Sequence, residues 1–192
     1  MGLNYINQLA FSNNGNCKLL ELCQGDISTL NNYDSSDYLI VSAFPNDYTK
    51  TNGSIIKVLS DKNIKVEELS KNKSFTNTPC WISQELPVNE LKIKRLLLIE
   101  LANPKNEALV NLESIFKTIS LFTKDSKTSL LIPMIFTGSG QVEVELMFKK
   151  LCNASFDALN KSNIDSIKLV LYKESDIIKC DQFFKEFIKN KK

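Results

Sequence analysis

The residues whose types and spacing could do chemistry fall in three short stretches. Thr137-Gly138-Ser139-Gly140 follows an apolar run and precedes a helix-like stretch, where free backbone amides and the helix dipole can face an anion. Glycine there lets the backbone come close to such a ligand, and an ordinary strand-to-helix turn accounts for the same residues equally well. Gly25-Asp26-Ile27 offers a carboxylate acceptor beside a branched aliphatic, although aspartate after glycine commonly caps a turn or helix. The stretch from Ala43 to Ser54 carries Phe44, Asn46, Asp47, Asn52 and Gly53. Asn46 and Asp47 are its candidates for positioning or activating a water; a solvated turn ahead of Tyr48 is the alternative for Asp47.

Much chemistry is excluded. The chain has no histidine, which removes Ser-His and Cys-His nucleophile pairs, HExxH zinc sites and imidazole bases. Five scattered cysteines without a CxxC pair read as reduced thiols, and no metal site is expected. Cys80 has no cationic neighbour to activate it and reads as a buried, inert thiol, with the sole tryptophan, Trp81, beside it in an extended segment as core or edge packing. A net charge of +2 is too balanced for gripping a nucleic-acid polymer, so backbone amides must supply much of any attraction for an anion. The longest apolar stretches fall far short of the roughly 20 residues that span a bilayer. Met1 to Phe11 lacks the basic flank and apolar run of a signal peptide, so a cytoplasmic location is expected.

These stretches need elements to position them. Short apolar runs at Lys18–Cys23, Tyr38–Ala43, Arg95–Leu101, Thr128–Phe136 and Ser166–Tyr172 read as strands, with Pro133 near an end or bulge of the fourth. Helical spacing is found at Leu109, Leu112, Ile115 or Phe116, Ile119 and Phe122; again from Val144 to Leu159; and at Ile177, Phe184 and Ile188. A shorter helix is predicted over Ser54–Leu59, opened by Asn52 or Gly53, and the segments 31–36, 71–78 and 189–192 read as a polar turn, a polar loop and a basic tail. Strands alternating with helices predict an α/β domain in which polar loops at three strand ends line one cleft.

The sequences GDIS (25–28), YLIVSA with its downstream loop PNDYTKTNGS (45–54), and IPMIFTGSG (132–140) before a long helix resemble macro domains, which bind ADP-ribose. The resemblance spans most of the chain in the right order. It implies one domain over residues 1–192, a three-layer α/β/α fold with a central mixed, mostly parallel sheet. The implied ligand is ADP-ribose or a modified NAD-derived nucleotide, with no separate cofactor. Asp26 then matches the aspartate that accepts from the adenine amino group, with Ile27 against the base. Ser139, Gly140 and Gln141 would present amides to the diphosphate and distal ribose. Tyr172 matches a position that packs on ligand, and a strand-end aromatic closing the core is its other reading. Gly25, Ala43, Phe44, Asn52, Gly53, Ser54, Thr137 and Gly138 complete the implied lining.

The chain also departs from that pattern. Many hydrolytic macro domains carry Asn-Ala-Ala-Asn and then a run of glycines with an acidic residue, where this chain has Ser42-Ala43-Phe44-Pro45 and then Asn52-Gly53-Ser54. The departures favour recognition over hydrolysis, and the resemblance extends to a sensor of such a nucleotide in bacterial anti-phage immunity, acting with a protein partner or effector domain. An ADP-ribosyl hydrolase using Asn46 or Asp47, and a ligand-free protein-interaction scaffold, are the alternatives.

Overall fold

A computed structural model describes residues 2–77, 79–122 and 127–191. The strands are β1 (Asn4–Asn13), β2 (Asn16–Gln24), β3 (Ser36–Ala43), β4 (Lys73–Asn77), β5 (Cys80–Ser83), β6 (Ile93–Glu100), β7 (Thr128–Pro133) and β8 (Ile164–Leu171). They form one 8-stranded sheet in the order β1-β2-β8-β7-β3-β6-β5-β4. The inner run from β2 to β6 is parallel, while β1 at one edge and β5 and β4 at the other are antiparallel.

Parallel strands covered on both faces must be apolar on both, and the alternation here divides cleanly. Ile40, Leu97, Leu130 and Leu169 face one core, and Val41, Leu98, Leu131 and Val170 face the other. On the first face α3 (Pro104–Phe122), α4 (Val144–Lys161) and α5 (Glu174–Lys191) pack with Ile115, Phe148 and Phe184 inward. On the second lie α1 (Ile55–Asp61) and α2 (Val66–Leu69), contributing Ile56, Leu59 and Val66. The result is the expected α/β/α sandwich around a mixed, mostly parallel sheet.

Several local expectations are corrected. The strand predicted to run to Phe136 stops at Pro133, because Phe136 turns to a left-handed φ of 60° that strand pairing does not allow. The last strand likewise ends at Leu171, leaving Tyr172 outside it. Ser54, not Asn52 or Gly53, caps α1, its hydroxyl accepting the Lys57 amide at 3.1 Å. Within the predicted polar loop at 71–78, residues Lys73–Asn77 form β4, and Thr78 lies outside the described residues. The predicted basic tail is the last turn of α5 as far as Lys191; Lys192 lies outside the described residues. The polar turn at 31–36 contains a 3-10 turn, Asn32–Asp34, closed by a reciprocal cap between Asn31 and Asp34.

Candidate functional site

The sheet opens where β3 and β7 part. They pair only through Tyr38 with Leu130 and Leu39 with Leu131. Below this point the seam is closed: the Ser129 amide and hydroxyl both donate to Asp37 Oδ2 at 2.8 Å. The Asp37 amide donates to the Ser129 hydroxyl in return, at 2.9 Å. Above it the chain leaving β3 turns to α1 on one face, and the chain leaving β7 turns to α4 on the other. Such a divergence of neighbouring strand ends leaves a crevice. Here the cavity is about 650 Å³ and is lined by the loops that follow all five inner strands. That is within the usual size range of small-molecule sites.

The loop after β7 forms the floor. Ser42 Oγ accepts the Phe136 amide at 3.2 Å, and the Phe136 carbonyl accepts the Val142 amide at 3.0 Å, so the intervening residues bulge into the cleft. Among the described residues, no protein acceptor takes the amides of Thr137, Gly138, Ser139 or Gly140. A row of free N–H groups at a concave surface is an anion-binding arrangement. Gly140 makes the bulge, since a Cβ there would lie 2.5 Å from the Phe136 carbonyl oxygen; at Gly138 a Cβ would meet nothing within 4 Å. The turn does not open the helix directly: Gln141, Val142 and Glu143 intervene, and Val144 is the residue of α4 that reaches the cleft. The loop's own amides, more than the helix end, therefore supply the donors.

At the β2 end, Asp26 caps the 3-10 turn Ile27–Thr29, its Oδ1 accepting the Ser28 amide at 2.8 Å. Its capping role and an acceptor role are compatible, because among the described residues no protein donor reaches the second carboxylate oxygen and Asp26 lines the cleft. Ile27 is buried beneath it. Tyr172, on the rim beside Lys173, is 71% exposed, which corrects the reading of it as an aromatic closing the core. A flat ring held open to solvent at a cleft is a stacking surface.

At the β3 end, Phe44-Pro45-Asn46-Asp47 is a tight turn in which the Asp47 amide donates to the Phe44 carbonyl at 3.0 Å and Asn46 holds a φ of 56°. Asp47 faces the cleft and Asn46 does not. Hydrogen bonds from the Thr49 hydroxyl and amide, at 2.6 and 3.0 Å, hold the Asp47 carboxyl below its ordinary range. Ser54 lies at the far side with its hydroxyl donating to the Thr51 carbonyl.

The structure thus brings Gly25, Asp26, Ile27, Ala43, Phe44, Asp47, Asn52, Gly53, Ser54, Thr137, Gly138, Ser139, Gly140 and Tyr172 to one cavity. Gln141 is not among its lining residues: its amide donates to the Gly138 carbonyl at 3.0 Å, which closes the turn from behind. Sequence reading missed Met134, Phe136 and Pro104, which give the cleft apolar walls, and Lys173. Lys173 is the only cation lining the cleft among the described residues, so the amide row is the main attraction for an anion. Trp81 is buried on β5 at 1% exposure and lies outside the lining, and burial pushes the Cys80 thiol up to about 12. Among the described residues no cluster suited to a metal ion occurs, and no helix is long and apolar enough to cross a membrane.

No protein-family profile and no curated protein matches the chain. Solved structures do. The Oceanobacillus iheyensis macrodomain with ADP is 14% identical, with 99% of this chain and 100% of that one covered at a TM-score of 0.69. The Trypanosoma brucei macrodomain in complex with ADP-ribose is 12% identical, with 86% of this chain and 68% of that one covered at a TM-score of 0.65. The chain has the macrodomain fold.

Proposed function

We propose that this chain, acting as a single macro-like domain over residues 1–192, is a binding module for ADP-ribose or a modified NAD-derived nucleotide. The observation that carries the reading is the row of unpaired amides at Thr137–Gly140, set between an acceptor oxygen of Asp26 and the Asn52–Ser54 loop in one cavity. A central diphosphate takes the amides. Adenine lies over Ile27 with its amino group donating to Asp26 and the Tyr172 ring beside it. The distal ribose extends toward Asp47 and Gly53. The macrodomains that share this fold were solved with ADP and ADP-ribose, which supports the same ligand class here.

Recognition fits better than hydrolysis. A carboxylate that is fully exposed and held ionised by Thr49 is a weak base, and Asn46 is not among the residues lining the cavity. In the cell the module acts in the cytoplasm as a sensor of an NAD-derived signal in antiviral defence, with its output carried by a protein partner or effector.

A thermal-shift panel of ADP-ribose, its cyclic and base-modified derivatives, NAD and ATP tests the reading. At about a hundred times the dissociation constant a ligand adds roughly 2.7 kcal/mol of stability. For a domain of this size that is a rise of roughly 5 to 11 °C. A flat response to every NAD-derived nucleotide would overturn it.

A further inference from the structure

One wall of the cleft is irregular chain. Residues 44–54 run from the end of β3 to the cap of α1, and most of their hydrogen bonds are internal: Asp47 to Phe44, Thr49 to Asp47, Thr51 to Thr49 and Ser54 to Thr51. Loop residues held only by local bonds sample many conformations, and each must be given up when a ligand binds. Ser54 joins the far end of the segment to α1, and among the described residues the middle of the segment is tied to the sheet through one side chain. Asp47 and Thr49 line the cleft, and Tyr48 between them points the other way, into the second core. There its hydroxyl donates to Glu100 Oε1, at the end of β6.

Glu100 is itself fixed. Its Oε1 also accepts the Trp81 indole N–H at 2.7 Å, and its amide donates to the Pro79 carbonyl at 2.9 Å. The Tyr48 and Trp81 rings meet edge to face with centroids 6.2 Å apart, and the Lys73 ammonium lies over the Trp81 ring at 4.9 Å from its centroid. Trp81 is fully buried, so the tie is anchored in the sheet.

We propose that Tyr48, Glu100 and Trp81 form a clamp behind the cleft that holds the Asp47–Ser54 wall in its ligand-ready position, with Tyr48 and Glu100 as positioning residues for nucleotide binding. The inference rests on the nucleotide-binding reading above. The clamp touches no ligand. It acts by raising the fraction of molecules whose wall is already placed, and apparent affinity scales with that fraction. Both donors share one oxygen of Glu100, so a single carbonyl oxygen suffices as acceptor. A glutamine at position 100 therefore keeps the clamp, whereas an alanine removes it.

The test is calorimetric titration of ADP-ribose into the whole chain and its Tyr48→Phe, Glu100→Gln and Glu100→Ala variants, with the melting temperature of each unliganded protein measured alongside. The clamp predicts that Tyr48→Phe weakens binding about tenfold while the unliganded melting temperature stays within a few degrees of the parent. It also predicts that Glu100→Gln binds within threefold of the parent. Glu100→Ala weakens binding at least as much as Tyr48→Phe, and the Trp81 emission of the free protein shifts as the indole loses its acceptor. A role in stability alone would lower the melting temperature and leave the dissociation constant unmoved, and that result overturns the clamp. So does Glu100→Gln binding as poorly as Tyr48→Phe. Should the parent chain release no heat with ADP-ribose, the binding reading itself falls and takes this inference with it.

Discussion

The Phe136 carbonyl oxygen lies only 2.5 Å from where a Cβ on Gly140 would sit, and the same oxygen accepts the Val142 amide at 3.0 Å. Gly140 is therefore needed for the loop to form, and Gly138 is not. Gly140→Ala pushes a methyl into backbone and is expected to destabilise the fold by about 1 to 3 kcal/mol, the usual range for overpacking. Gly138→Val places its side chain in open space without a left-handed φ and should change stability by about 0.5 kcal/mol or less. Urea unfolding of the two variants checks this; equal destabilisation would mean the loop is shaped differently.

Asp26 separates capping from recognition. Asparagine retains a side-chain oxygen for the Ser28 amide and so keeps the cap of the Ile27–Thr29 turn. Its amide nitrogen, turned toward the cleft, is a donor facing the donor amino group of adenine. Asp26→Asn should leave the melting temperature within about 2 °C of the parent and weaken ADP-ribose binding by tenfold or more, as loss of a hydrogen bond to a charged group does. Unaltered affinity would place the base elsewhere.

The closed end of the β3–β7 seam should be visible in acid. Burial pushes the Asp37 carboxyl up, but Lys94, at 2.6 Å, and the two Ser129 donors outweigh it and hold the group below its ordinary value of 3.8. A carboxyl lowered in the folded state binds protons more weakly there than when unfolded. Its stabilising contribution is complete above the unfolded value and fades as pH falls through the folded one. Asp37→Asn should lower stability at neutral pH and give a flatter loss of stability below about pH 4. Denaturant midpoints measured from pH 7 to pH 2 check both; parallel curves for parent and variant would contradict the seam's role.

If the cleft recognises and does not hydrolyse, a mono-ADP-ribosylated protein incubated with a large excess of the chain should keep its modification, as read by mass spectrometry. Asp47→Ala should then leave that result unchanged. Release of ADP-ribose by the parent, abolished in Asp47→Ala, would assign Asp47 the role of base that its lowered pKa argues against.

The inner sheet was legible because strands buried on both faces are apolar on both, so β3, β6, β7 and β8 stand out as runs. The edges were not. In β1 only Leu9 is fully buried, and in β4 no residue is, so neither strand needs an apolar pattern. The signal for β1 lay in its turn: Asn14 and Gly15, with φ of 51° and 77°, are the pair that a two-residue hairpin favours. Gly25–Ile27 and Thr137–Gly140 were legible as polar loops at strand ends, which an open α/β sheet gathers around one crevice. That the Gln141 amide closes the turn was not legible, because which amide faces outward depends on how the turn closes, and Tyr48 went unnoticed because its partners lie far along the chain at Trp81 and Glu100.

The amides of Thr137–Gly140 are the proposed anchor for a nucleotide diphosphate. Calorimetric titration of ADP-ribose into the parent chain and into Gly138→Val, a variant that fills the loop's ligand side without disturbing the fold, tests it most directly. The prediction is saturable one-to-one binding by the parent and its loss in Gly138→Val at an unchanged melting temperature. Equal binding by the two proteins, or none by the parent, would contradict it.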